Sequence, residues 1–223
     1  MKKILIVSVH PDDEALGCGG TIGVHNKLGD ELYWLILTSP KEISWVSEDF
    51  KERRKIEIKK AIEHFNFKKT FELDLPTTML DTLANGEIIK QVSKIIDEIK
   101  PEIVYLPNRS DIHSDHKIAF QVLISSTKYF RYPFVKRILM YETLSETEFA
   151  PPLPENSFLP NVFIDITEFI NYKLKSIDIY SESEMMPYPL PRNKDTVKAL
   201  ARFRGARIGV EYAEAFMLIL EVL

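Results

Sequence analysis

The chain has 223 residues, of which 45% are hydrophobic and 28% charged, with a net charge of −4. At about 150 residues per domain this suits one globular unit; it excludes disorder and gives no overall basic character for nucleic-acid binding. Apolar runs such as 32–37 and 215–220 end after six residues, against the roughly 20 that a bilayer span needs. The single cysteine, Cys18, excludes an internal disulfide and a cysteine-rich zinc finger. The charged stretch from His10 to Glu14 follows the first apolar residues too soon for a signal peptide, so a reducing, cytoplasmic location is the expectation.

In chain order, residues 4–9 are short, β-branched and apolar on nearly every position, as a strand buried on both faces reads. A helix is predicted over 14–28, with Gly29 as its C-terminal stop, then a strand over 31–38. Residues 52–65 carry Ile58, Ala61, Ile62 and Phe65 at helical spacing, and 70–75 is a short strand. Residues 86–100 place Ile88, Val92, Ile95, Ile96 and Ile99 on one helical face before Pro101. A strand over 103–106 and a helix over 114–127 follow. The alternation predicts an α/β fold with a parallel sheet. After Tyr141 the pattern blurs into two Pro-rich loops, 150–160 and 187–191, with helices near 168–181 and 195–204 and a last strand over 215–222. Nothing splits the chain, so it reads as one domain over 1–223, with a core over about 1–140 and closing elements over about 141–223.

Two clusters carry the chemistry. His10-Pro11-Asp12-Asp13-Glu14 follows the first strand, and ligands of open α/β sheets bind outside the carboxyl ends of strands. His with two Asp can supply metal ligands and a base; the competing reading is a turn in which Asp12 or Asp13 caps the helix. Asp111-Ile112-His113-Ser114-Asp115-His116 follows the 103–106 strand. Its two His share a face if they open a helix, and Asp115 between them could accept a ring N–H and fix a tautomer. The competing reading is a surface loop with solvated imidazoles. Three of the five His fall in these two clusters, each just past a buried strand, whereas His25 and His64 read as ordinary surface or boundary residues. Spacing alone does not choose between Asp12 and Asp13, or between His113 and His116.

Gly17, Gly19, Gly20 and Gly23 lie in the first helix. They form no G-x-G-x-x-G, and no acidic residue ends the second strand, so close helix–sheet packing is preferred to dinucleotide binding. Cys18 reads as a small buried residue. The charge runs 51–55 and 202–207 read as solvated helix faces, from which one arginine could reach an anionic substrate.

Together these residues resemble the LmbE-like (PIG-L) family of metal-dependent N-acetylglucosamine deacetylases. Val9-His10-Pro11-Asp12-Asp13-Glu14 is similar to its A/S-H-P-D-D-E motif, and Asp111-x-His113-x-Asp115-His116 to its second motif. Arg54-x-x-Glu57 with Ala61 resembles its helix signature, with Phe65-Asn66 in place of Leu-Gly. Arg204-Gly205 through Tyr212-Ala213-Glu214-Ala215-Phe216 resembles a C-terminal R-G…Y-A-E-x-F segment. Tyr180-Ser181-Glu182-Ser183 stands where many relatives carry an H-x-S-Q-like segment, which sets the chain apart from the deacetylases acting on GlcNAc-inositol or GlcNAc-malate.

The resemblance implies a three-layer Rossmann-like fold, with helices on both faces of a mostly parallel sheet. It implies that His10, Asp13 and His116 ligate a divalent metal, zinc first, with iron(II) or another as alternatives. It makes Asp12 the general base, protonated His113 the stabiliser of the oxyanion, and Asp115 the residue that orients His113. The substrate would be a small N-acetylated amino sugar, as glycoside, glycoconjugate or sugar nucleotide, cleaved to acetate and a free amine. Arg54 and Arg192 are the candidates for binding a phosphate or carboxylate on it. A homo-oligomer stays open. The rival readings are another metal-assisted amidase or esterase on the same scaffold, or a non-catalytic sugar- or nucleotide-binding module.

Overall fold

A computed structural model describes residues 1–223. Seven strands, β1 (Lys3–Ser8), β2 (Glu31–Ser39), β3 (Lys69–Pro76), β4 (Ile103–Pro107), β5 (Arg137–Tyr141), β6 (Val162–Asp165) and β7 (Ala213–Glu221), form one sheet. Its order is β3-β2-β1-β4-β5-β7-β6. The first five strands pair in parallel, while β7 runs antiparallel to both β5 and β6. The α/β, three-layer expectation therefore holds. The strand order reverses between β1 and β4, so the loops that leave these neighbours part on either side of a crevice.

Six helices complete the fold: α1 (Asp13–Leu28), α2 (Glu48–Phe65), α3 (Asn85–Ile99), α4 (Ser114–Ser125), α5 (Ile170–Ile179) and α6 (Lys194–Ala206). Alternate residues of each central strand face opposite sides. Ile4, Ile6, Trp34 and Tyr105 pack into a core with residues of α1, α2, α5 and α6. Leu5, Val7, Leu35 and Val104 pack against α3 and α4. Each core holds 21 buried residues, which is why the strand sequences are apolar throughout rather than alternating. No helix is long and apolar enough to cross a membrane.

Glycines set how closely α1 approaches its neighbours. A Cβ on Gly17 would lie 2.2 Å from the Tyr141 ring, and one on Gly20 would lie 2.7 Å from Ile166. The helix ends at Gly29, left-handed at φ 75°, a conformation glycine adopts without strain. Strands β5 and β6 were not among the predicted elements. β5 is five residues and β6 four, and no α-helix lies between them, so the strand–helix alternation that marks the earlier strands is missing there. Helix α2 starts four residues before the predicted 52, because Ser47 caps it by accepting from the Phe50 amide at 3.2 Å.

Candidate active site

The loops after β1 and β4 meet at the crevice. In the first, the Val9 and His10 amides donate to Asp13 Oδ2 at 2.8 and 2.9 Å, which folds the carboxylate back over the strand end. Asp12 has φ 141° and makes no side-chain cap bond. A non-glycine residue held there is strained and is tolerated only where its surroundings fix it. The fixing groups are visible. Glu14, fully buried, accepts from the Asp12 amide and the Ser8 hydroxyl, each at 3.1 Å, and from the Tyr180 hydroxyl at 2.6 Å. Burial pushes its carboxyl up to about 7, against those hydrogen bonds. Arg54 donates to the Pro11 carbonyl at 2.6 Å.

In the second loop, His113 caps α4 and its Nδ1 accepts from the Asp115 amide at 3.1 Å. His116 lies in the first turn, fully buried. Its Nδ1 pairs with Asp111 Oδ2 at 2.8 Å, and Asp111 Oδ1 is held by Asn108 at 3.0 Å and Thr147 at 2.7 Å. The His10 ring centroid lies 4.5 Å from that of His113 and 5.4 Å from that of His116.

Whether a metal fits can be judged from His116. Its Nε2 is buried with no hydrogen-bond partner, 3.6 Å from Asp13 Oδ2. That is too long for a hydrogen bond, yet bonds of about 2.0–2.2 Å to a tetrahedral ion separate its ligand atoms by about 3.3–3.6 Å. Ligand atoms of His10, Asp13 and His116 all lie within 4.8 Å of one another. A second group, His10, His113 and Asp115, also meets that distance. There, however, the Asp115 carboxylate is taken up by the Thr78 and Leu80 amides at 2.6 and 3.1 Å and by His10 Nε2 at 3.2 Å. The His10–Asp13–His116 set, which has the orphaned nitrogen, fits an ion better. Against the effect of burial, Asp13 and Asp111 raise the His116 pKa to about 9, so an ion binding there has a proton to displace.

Two expectations change. Asp115 does not orient His113 through its carboxylate. As the cap residue, His113 folds its ring back onto the first-turn amides, while Asp115 points out to the 77–80 segment and to His10. Nor is His113 held charged: burial first, then the neighbouring His10 and His116, lower its pKa to about 4. With Nδ1 accepting, the neutral ring carries its proton on Nε2.

Arg192 crosses from the second Pro-rich loop to Asp12 Oδ2 at 2.9 Å. It is held by Ser145 at 2.5 Å, Glu146 at 2.8 Å and Glu184 at 3.2 Å, and Glu184 also pairs with Arg54. Burial pushes the Asp12 carboxyl well above the usual range, and Arg192 opposes it. Thus Arg54, 4% exposed, is no part of a solvated face; it braces the Asp12 turn and reaches the cavity wall. His25 is likewise buried rather than superficial, bonded to Asp30 and Tyr105 at 2.9 Å each. Asp111 stood in the second cluster without a role, and the structure makes it the partner of His116 Nδ1; Glu146 and Glu184 were not singled out, because each acts through a contact across loops that leaves no spacing signal. The crevice is a cavity of about 240 Å³. A larger one, about 340 Å³, opens beside 142–158 and contains none of these groups.

A doubly wound sheet with a His/Asp cluster at its switch point, a carboxylate held beside it by Arg192 and an imidazole facing it has the parts of a metal-assisted hydrolase. The chain belongs to the PIG-L family: the family model described as GlcNAc-PI de-N-acetylase matches residues 5–126. It is 26% identical over 228 aligned residues to the diacetylchitobiose deacetylase of Thermococcus kodakarensis, covering 98% of this chain and 84% of that protein. Among solved structures, N,N'-diacetylchitobiose deacetylase from Pyrococcus horikoshii superposes with a TM-score of 0.78 at 24% identity, covering 98% of this chain and 84% of the other. Conserved protein TT1542 from Thermus thermophilus superposes with the same TM-score at 25% identity, covering 100% and 97%.

Proposed function

We propose that the chain removes the acetyl group from a GlcNAc-type sugar, with His10, Asp13 and His116 holding a zinc ion, Asp12 as the general base and His113 as the oxyanion donor. The observation that carries this is the buried, unpartnered Nε2 of His116 facing Asp13, with His10 alongside and Asp12 left free of any capping role. Two imidazoles and a carboxylate suit zinc, and three protein ligands are the usual number in a catalytic site. Bound there, the ion supplies Lewis-acid polarisation of the acetamide carbonyl and lowers the pKa of a water.

The protein groups do the rest. Asp12, whose proton affinity burial keeps high, takes a proton from the water as its oxygen bonds to the acetamide carbon. His113 donates its Nε2–H to the carbonyl oxygen as negative charge develops there. Asp12 then returns the proton to the nitrogen as the C–N bond breaks, leaving acetate and a free amine. Arg192 keeps Asp12 aimed, and Ser145, Glu146 and Glu184 fix Arg192 in turn. Asp111 orients His116 as carboxylates behind metal-bound His commonly do. The buried, lone Cys18 agrees with work in a reducing cytoplasm.

The test is acetate release from free GlcNAc, GlcNAc glycosides, UDP-GlcNAc and a diacetamido sugar nucleotide, with zinc added and with the metal stripped. Zinc-dependent release from at least one sugar is expected. Release that survives complete stripping would remove the metal centre from the reading.

A further inference from the structure

One wall of the crevice is apolar and aromatic, which the chemistry above does not use. The segment between β2 and α2 turns back on itself: the Ile43 amide donates to the Pro40 carbonyl at 3.0 Å and the Val46 amide to the Ile43 carbonyl at 3.4 Å. Ile43 is buried and anchors the turn, and Trp45 stands out from it, 69% exposed. An isolated exposed aromatic is ordinary on a protein surface. Trp45, however, lines the catalytic cavity, and with Val46 and Phe50 it supplies all the large apolar side chains there. Arg54, Glu184 and Arg192 supply charged groups to the same cavity.

A pyranose ring matches such a combination. Its C–H face packs against an aromatic ring while its edge hydroxyls bond to charged and polar groups. The volume then limits what is enclosed. Pockets that bury drug-sized ligands run to about 300–1,000 Å³, and this cavity is about 240 Å³. It has room for one acetamido sugar, and Trp45, which lines it while largely exposed, stands at its rim, where a ring joined to that sugar would meet it. We propose that Trp45 is a stacking platform for a second pyranose ring, so that the site takes a disaccharide or longer glycoside in preference to the free sugar. The inference rests on the deacetylase reading and names its substrate class.

Two readouts separate the platform from that reading. The first is kcat/KM for acetate release from N,N'-diacetylchitobiose relative to free GlcNAc. Replacing Trp45→Ala is expected to lower this ratio about tenfold, carried by KM for the disaccharide, with Trp45→Phe restoring part of it. The second is tryptophan emission of the metal-stripped protein titrated with each sugar. Trp34 is fully buried, so a change that disappears in Trp45→Phe reports Trp45, and it is expected with the disaccharide at concentrations where GlcNAc has no effect. An unaltered ratio in Trp45→Ala, or emission that ignores the disaccharide, overturns the platform while leaving deacetylation standing. Emission that responds as expected, in a wild-type protein that releases no acetate from either sugar, supports the platform and overturns the deacetylase reading.

Discussion

Asp12 and Asp13 are neighbours in sequence with different surroundings, and the difference is geometric. Asp13 is bonded to the Val9 and His10 amides and faces His116; Asp12 faces Arg192 and leaves the helix cap unmade. In Asp12→Asn the amide keeps the shape and loses the proton acceptor, so kcat should fall about 10²–10⁴-fold with bound metal unchanged. Acetate release and elemental analysis on the same sample test this, and wild-type turnover would end Asp12's assignment as base. Asp111 acts one bond further out. Asp111→Ala removes the partner of His116 Nδ1, and metal affinity, measured by competition with a chelator, should drop about 10–100-fold. The two clusters were legible in the sequence because they follow apolar strands. Their spacing left the division of labour within them open, and only the family resemblance supplied one, since it depends on which way each side chain turns from a cap or a strained residue.

At the scale of elements, the helices with strong periodicity were legible almost to their ends: α3 spans Asn85–Ile99 against the predicted 86–100. The charge runs misled where a single residue departed from its neighbours, as Arg54 does within 51–55. His25 was misread for a related reason: α1 is apolar and Gly-rich on most sides, so no polar face marks where a histidine would be solvated. Its burial gives α1 a pH signature. Burial lowers the His25 pKa below the usual 6.5, with Asp30 opposing. Above pH 6.5 both folded and unfolded chains hold it neutral. Below that, the unfolded chain takes up a proton that the folded chain refuses, so stability is lost as pH falls towards the folded pKa. The drop in Tm between pH 7.5 and 5 should therefore be larger for the wild type than for His25→Gln. Equal drops would mean that His25 is neutral in neither state's favour.

At the scale of the molecule, the sequence divided a legible first part, to about residue 140, from a blurred second part. The structure shows what blurs it: after β5 the regular alternation of helix and parallel strand ceases, and β7 returns antiparallel to pair with β5 and β6. What ties this returning segment to the first helix is a buried ion pair that no periodicity announces. Lys173 of α5 and Glu214 of β7 meet at 2.5 Å. Lys173 also donates to the Ala15 and Leu16 carbonyls at 3.1 and 2.6 Å. Glu214 accepts from the Gly20 and Thr21 amides at 2.9 and 2.7 Å. The pair thus fastens α1, which begins at Asp13, to two elements more than 140 residues away in sequence. Removing one partner of such a pair leaves the other charge buried and uncompensated, at a cost of about 3–5 kcal/mol, whereas removing both leaves none. In urea unfolding, Lys173→Met should lower the midpoint sharply. The double variant Lys173→Met/Glu214→Met should lose clearly less than the sum of the two single variants. Strict additivity would show that the two residues stabilise the fold independently, and that α1 is held by its glycine-spaced packing against Tyr141 and Ile166 rather than by the ion pair.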